Sequence, residues 1–157
     1  MNLEEKIIKE LQKLNYSITT AESCTGGLLA GRLLNVSGAS AVYNEGHITY
    51  SNEAKERLLG VSHETLETFG AVSSQTAKEM ALGAAKAANA NVGLSTTGIA
   101  GPGGGTSEKP VGLVYVGCAI NGEVEVKECH FDGDREANRK SSVEEALQLL
   151  WKNLSKS

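Results

Sequence analysis

Histidine is scarce in this chain. It occurs at 3 of 157 positions, His47, His63 and His130. None lies in an H-E-x-x-H pattern and no C-x-x-C pair occurs, so no metal centre of familiar ligand spacing is expected. The same scarcity argues against a Ser-His-Asp triad. Cysteine is equally rare. Cys24, Cys118 and Cys129 are odd in number and irregular in spacing, which does not make a disulfide framework. A reduced, cytoplasmic protein is expected.

An excess of positive charge is also missing. The net charge is −4, and the basic residues over 127–157 are interleaved with acids, as on a solvated helix face. A nucleic-acid partner held through phosphates is therefore not expected. No apolar run approaches the length that crosses a bilayer. The opening "MNLEEKIIKELQKL" has no apolar core of a signal peptide, so no membrane partner is expected either. The length suits one compact domain over residues 1–157.

Periodicity supplies the elements. Leu3, Ile7, Leu11 and Leu14 fall at helical spacing, and Asn2 with Glu5 resembles a capping box, predicting a helix over 3–14. "YSITTA" predicts a strand over 16–21, and "GLLAGRLLNV" a helix. "HITYSN" predicts a strand ending near Tyr50. "NEAKERLLG" predicts a helix capped by Ser51 or Asn52 and stopped at Gly60. "SHETLETFG" reads as a short helix, "SSQTAKEMALGAAKAANA" as a longer one capped by Ser73 or Ser74, and "NVGLSTTG" as a strand. "VGLVYVGCAI" and "EVEVKECHF" form a hairpin through Asn121-Gly122, and a long helix over 134–154 is capped by Asp134. The order predicts an α/β fold, a three-layer α/β/α sandwich around a mixed, mostly parallel sheet with one antiparallel hairpin.

Two stretches carry chemistry. "GIAGPGGGTSEKPVG", residues 98–112, is too glycine-rich for regular structure and too long for a turn. It satisfies neither the Walker pattern nor G-x-G-x-x-G, whose third position is Thr106 here. "TTAESCTGG", residues 19–27, sits on a strand-to-helix turn. Ser23 there would face the N–H groups of Thr25, Gly26 and Gly27, a place for an oxyanion. Cys24 is a rival nucleophile, since a helix N-terminus lowers a thiol pKa. With histidine scarce, the base is sought among lysines. Lys55, in the first turn of a predicted helix, is the candidate, and Tyr50 just before it could relay a proton. The residues alone leave Ser23 and Cys24 open.

Six separated motifs, "AESCTGGLLAGRL", "YSNEAKERLLGV", "GAVS", "TGIAGPGGG", "KPVG" and "FDGDREANR", resemble the C-terminal domain family of the competence/damage-inducible protein CinA over nearly the whole chain. The larger members carry a further N-terminal domain, for which 157 residues leave no room. Stand-alone members are nicotinamide-nucleotide amidases. The resemblance implies hydrolysis of nicotinamide mononucleotide to nicotinate mononucleotide and ammonia, for recycling into NAD synthesis. It implies an α/β/α fold, a small-molecule nucleotide as partner, a homodimer, and a Ser/Lys dyad with neither metal nor cofactor. Carried onto this chain, the dyad is Ser23 and Lys55, with Tyr50 assisting. Thr97 and Gly98 would shape the nucleotide pocket, and Arg135 or Arg139 would meet the phosphate. The family commonly has "GSS" before the second strand; here "SGAS" keeps Ser40 as a site candidate but has Ala39 in place of the first serine. His47 stands where the family has an apolar strand residue. A non-catalytic nucleotide- or phosphate-binding module is the alternative, and a Cys24 hydrolase a lesser one.

Overall fold

The computed structural model describes residues 1–156. Five strands form one sheet. They are β1 (Ile18–Glu22), β2 (His47–Ile48), β3 (Val92–Gly98), β4 (Leu113–Ile120) and β5 (Glu123–His130), in the order β2-β1-β3-β4-β5. β2, β1 and β3 are parallel, β4 runs against β3, and β5 against β4. All strands except β4 therefore point the same way. Asn121 and Gly122, both at positive φ, make the β4–β5 turn as the hairpin signal predicts.

Helices cover both faces. α1 (Leu3–Leu14), α2 (Leu28–Leu34) and α6 (Arg135–Leu154) pack together on one, and α3 (Asn52–Leu59), α4 (His63–Phe69) and α5 (Ser74–Ala87) on the other. The larger core joins Ile7, Leu11, Leu29 and Leu147 to Ile18, Val92 and Leu94 of the sheet. The smaller joins Leu59, Leu66, Met80 and Ala84 to Ala21. Period-2 alternation explains the division. In β3, Val92 and Leu94 face the large core. Gly93 and Ser95 face α5, and the Ser95 hydroxyl donates to the Ala77 carbonyl at 2.7 Å. Small residues on that face let the alanine-rich α5 lie close.

The helix caps follow the sequence. Asn2, Ser51, Ser62, Ser73 and Asp134 each accept a backbone N–H three residues on. The strand boundaries shift. Tyr16 N–H returns to the Leu11 carbonyl because Asn15 is left-handed, so β1 begins at Ile18 and runs on to Glu22. β2 is 2 residues long and stops before Tyr50, because Ser51 already caps α3. A single 3-10 turn at Ala39–Ala41 has no counterpart in the sequence reading. No helix among the described residues is long and apolar enough to cross a membrane.

Candidate active site

The parallel strands β1, β2 and β3 end at one edge of the sheet, where open α/β folds present their ligand sites. Ser23 follows β1, Tyr50 follows β2, and Thr97 and Gly98 close β3. Alternation sends Glu22 and Ser23 to opposite faces, and their contacts agree with it.

Glu22 turns to α2. Its Oε1 accepts from the Thr25 hydroxyl at 2.6 Å and from the N–H groups of Gly27 and Leu29 at 3.2 and 2.8 Å. Its Oε2 accepts from Ala30 N–H at 3.0 Å. A buried carboxylate thus occupies the start of α2, a natural place for negative charge. Because Thr25 gives its only hydroxyl proton to Glu22, Thr96 is the donor in the 2.7 Å contact between the two threonines. This N-terminus is therefore not vacant for a phosphate.

Ser23 turns to α3. Its N–H donates to the Thr96 carbonyl at 3.0 Å, which pins the turn to β3. Lys55 Nζ lies 3.3 Å from Ser23 Oγ and 2.9 Å from the Thr49 carbonyl. Lys55 is 1% exposed and forms no ion pair among the described residues. Burial pushes its amine below the ordinary lysine value, partly opposed by nearby Cys24. A neutral amine at this position can give an N–H to Thr49 and keep its lone pair for the Ser23 proton. Cys24 is buried too, and there burial pushes the thiol up to about 11. It stays protonated near neutrality, which removes the advantage expected from the helix start.

Ser23, Lys55 and Tyr50 line one cavity of about 310 Å³ with Thr97, Gly98 and Arg135. The glycine-rich loop forms its far wall through Gly101, Gly103 and Gly104. Asn138, buried, donates to the Ala100 carbonyl at 3.0 Å and so ties that loop to α6. The Thr97 hydroxyl is committed to the Ala71 carbonyl at 2.8 Å. A Cβ on Gly98 would stand 2.7 Å from the Leu113 carbonyl oxygen, so only glycine fits where β3 passes β4. Tyr50 sits at the rim, and its hydroxyl accepts from Arg135 at 3.2 Å.

Other sequence candidates lie differently. Gly26 N–H donates to the Ser23 carbonyl at 3.2 Å and Gly27 N–H to Glu22, which leaves Thr25 as the uncommitted N–H of the expected three among the described residues. Arg139 supports the turn from behind: its Nε donates to the Cys24 carbonyl at 2.9 Å and its Nη2 to the Thr25 carbonyl at 3.1 Å. Between the two arginines expected at a phosphate, only Arg135 lines the cavity. Ser40 lies apart from these residues. It is exposed in the 3-10 turn, next to Val42, whose carbonyl accepts from Ile18 at the start of β1, so a whole strand separates it from Ser23. Sequence reasoning gave no role to Glu22, Thr49 or Asn138. For Glu22 the usable signal was an acid shortly before a Gly-Gly helix start.

The sequence pattern of the CinA C-terminal domain matches residues 1–154. The chain belongs to the CinA C-terminal domain family. It is 58% identical over 154 residues to a competence-damage inducible protein of Clostridium novyi, covering 98% of this chain and 37% of that protein. The counterpart in Alkaliphilus metalliredigens is 54% identical, with 99% of this chain and 38% of that protein covered. The chain thus spans well under half the length of these relatives. Among solved structures, competence/damage inducible protein CihA from Agrobacterium tumefaciens is 49% identical with a TM-score of 0.93, covering 98% of this chain and 93% of that one. A CinA superfamily protein of Klebsiella pneumoniae is 35% identical with a TM-score of 0.95, covering 99% and 97%. Both structural likenesses run over nearly the whole of this chain.

Proposed function

We propose that this CinA domain is a serine amidohydrolase that converts nicotinamide mononucleotide to nicotinate mononucleotide and ammonia. The carrying observation is the 3.3 Å approach of Lys55 Nζ to Ser23 Oγ, with the amine buried and without a carboxylate partner among the described residues. Resemblance to the stand-alone amidases of the family supplies the substrate. The cavity, the glycine-rich wall and the Arg135 guanidinium at the mouth suit a small phosphorylated ligand.

In this reading, neutral Lys55 takes the hydroxyl proton as Ser23 Oγ bonds to the amide carbon. Thr25 N–H is the donor available to the oxyanion. As the C–N bond breaks, protonated Lys55 returns its proton to the departing nitrogen, through Tyr50 where that hydroxyl reaches it, and ammonia leaves. Water, losing a proton to Lys55, attacks the Ser23 ester. The ester C–O bond breaks as Ser23 takes the proton back from Lys55, and the acid released gives its remaining proton to solvent, leaving as the carboxylate. Only protein groups and water enter these steps.

The test is ammonia release from nicotinamide mononucleotide by wild type, Ser23→Ala, Cys24→Ala and Lys55→Ala. Loss of release with Ser23→Ala and Lys55→Ala, and its retention in Cys24→Ala, is expected. A live Ser23→Ala beside a dead Cys24→Ala would overturn the serine mechanism. Wild type that binds the nucleotide and releases no ammonia would make the chain a binding module.

A further inference from the structure

Arg135 opens α6 and reaches across the mouth of the cavity. Its Nη1 donates to the Gly101 carbonyl at 3.0 Å and its Nη2 to the Tyr50 hydroxyl at 3.2 Å. Both acceptors are neutral. The chain has four arginines. Arg32 and Arg57 hold carboxylates, and Arg139 is spent on the turn behind Ser23. Arg135 makes no ion pair among the described residues, is exposed, and is held only by a carbonyl and a phenol. Tyr50 is 65% exposed, and its hydroxyl is engaged with Arg135 and not with Ser23 or Lys55.

We propose that Arg135 is a positioning residue: a phosphate monoester bound by its guanidinium releases Tyr50 and makes it available to the reacting amide. The inference rests on the nucleotide reading above. A phosphate dianion matches the guanidinium fork with two parallel charge-assisted bonds, each about twice as strong as a neutral one. The Gly101 carbonyl and the Tyr50 hydroxyl cannot compete with it. Freed of its donor, the phenol can turn inward toward the leaving nitrogen. A substrate without the phosphate leaves Tyr50 tied, so its deficit falls on kcat as well as KM.

The readout that needs no turnover is fluorine NMR of the full chain with fluorotyrosine at position 50, titrated with ribose 5-phosphate. A saturable shift is expected, absent with ribose and absent in Arg135→Gln. In kinetics, nicotinamide riboside should show a kcat at least about tenfold below that of the nucleotide. Added inorganic phosphate should raise that kcat in wild type and not in Arg135→Gln. In Tyr50→Phe the kcat ratio between nucleotide and riboside should fall toward one while the KM ratio persists. The proposal is overturned by no saturable Tyr50 response to ribose 5-phosphate, or by substrates that differ in KM alone. Absence of ammonia release in wild type with the Tyr50 response intact would retract the amidase reading and leave the coupling standing.

Discussion

Gly83, in the middle of α5, lies against the carbonyl of Leu59, the last residue of α3; a Cβ built on Gly83 would overlap that oxygen. α3 carries Lys55, so the spacing between these two helices sets the position of the amine. Alanine in place of glycine favours an isolated helix by about 1 kcal/mol. Here the reverse is expected. Gly83→Ala should displace α3, lower the melting temperature, and reduce amide hydrolysis more than it reduces nucleotide binding. Parallel unfolding, binding and ammonia measurements check this. A more stable, fully active Gly83→Ala would show that the contact is relaxed at no cost.

Glu22→Gln tests the buried carboxylate. Both oxygens of Glu22 accept bonds, and an amide nitrogen cannot accept from the backbone N–H groups of α2. A loss of about 2–4 kcal/mol is expected, since hydrogen bonds to a buried charge are the strong ones. That corresponds to a drop in melting temperature of about 5–15 °C for a chain of this size. Ser23 is the next residue, so activity should fall with stability.

Lys55 links activity to pH. Its amine is held below the ordinary value of 10.5 by burial. In the proposed mechanism the neutral form is the base, so kcat/KM should rise with pH through this lowered pKa and be lost as pH falls below it. Stability has the same sign. Between the folded pKa and 10.5 the unfolded chain binds a proton that the folded chain does not, so stability rises with pH up to 10.5 and falls as pH drops through the folded pKa. Lys55→Met removes the buried amine. It should abolish turnover and raise stability at pH 7 by about 1–2 kcal/mol. That advantage should shrink as pH approaches 10.5, which thermal melts across the pH range can follow.

Ser23→Ala and Lys55→Ala should each cost on the order of ten-thousand-fold in kcat, as members of one catalytic unit do. Cys24→Ala should keep the rate within about tenfold. Its loss should appear as about 1 kcal/mol of stability from a small cavity. Alkylating reagents should react slowly with Cys24 near neutrality, because its thiol is pushed up to about 11.

The helices of this fold are readable in the sequence because their signals are local. Asn2, Ser51, Ser73 and Asp134 cap through bonds three residues long. The Ser23–Lys55 pairing is partly readable, since strand-to-helix turns and first-turn lysines are local too. What the residues alone do not disclose is set by long-range partners. Only the folded chain shows that Glu22 has taken the Gly27 N–H and the Ser23 carbonyl the Gly26 N–H, both otherwise assignable to an oxyanion, or that Arg139 faces the back of the turn and Arg135 the front. The distance of Ser40 from Ser23 is hidden for the same reason: its motif neighbours are close in sequence, but the turn they form lies at the opposite end of β1.

Arg139 reaches the Cys24 carbonyl across 115 residues, and Asn138 beside it holds Ala100. The turn that bears Ser23 is thus completed by a helix synthesised after every strand of the sheet. A nascent chain with β1, β3 and α3 in place has Ser23 and Lys55, the proposed nucleophile and base, yet neither the strut behind the turn nor the tether of the glycine-rich wall. Chains arrested before α6 are therefore expected to release no ammonia from nicotinamide mononucleotide, so the proposed activity would report on the docking of α6 as well as on the Ser23–Lys55 pair.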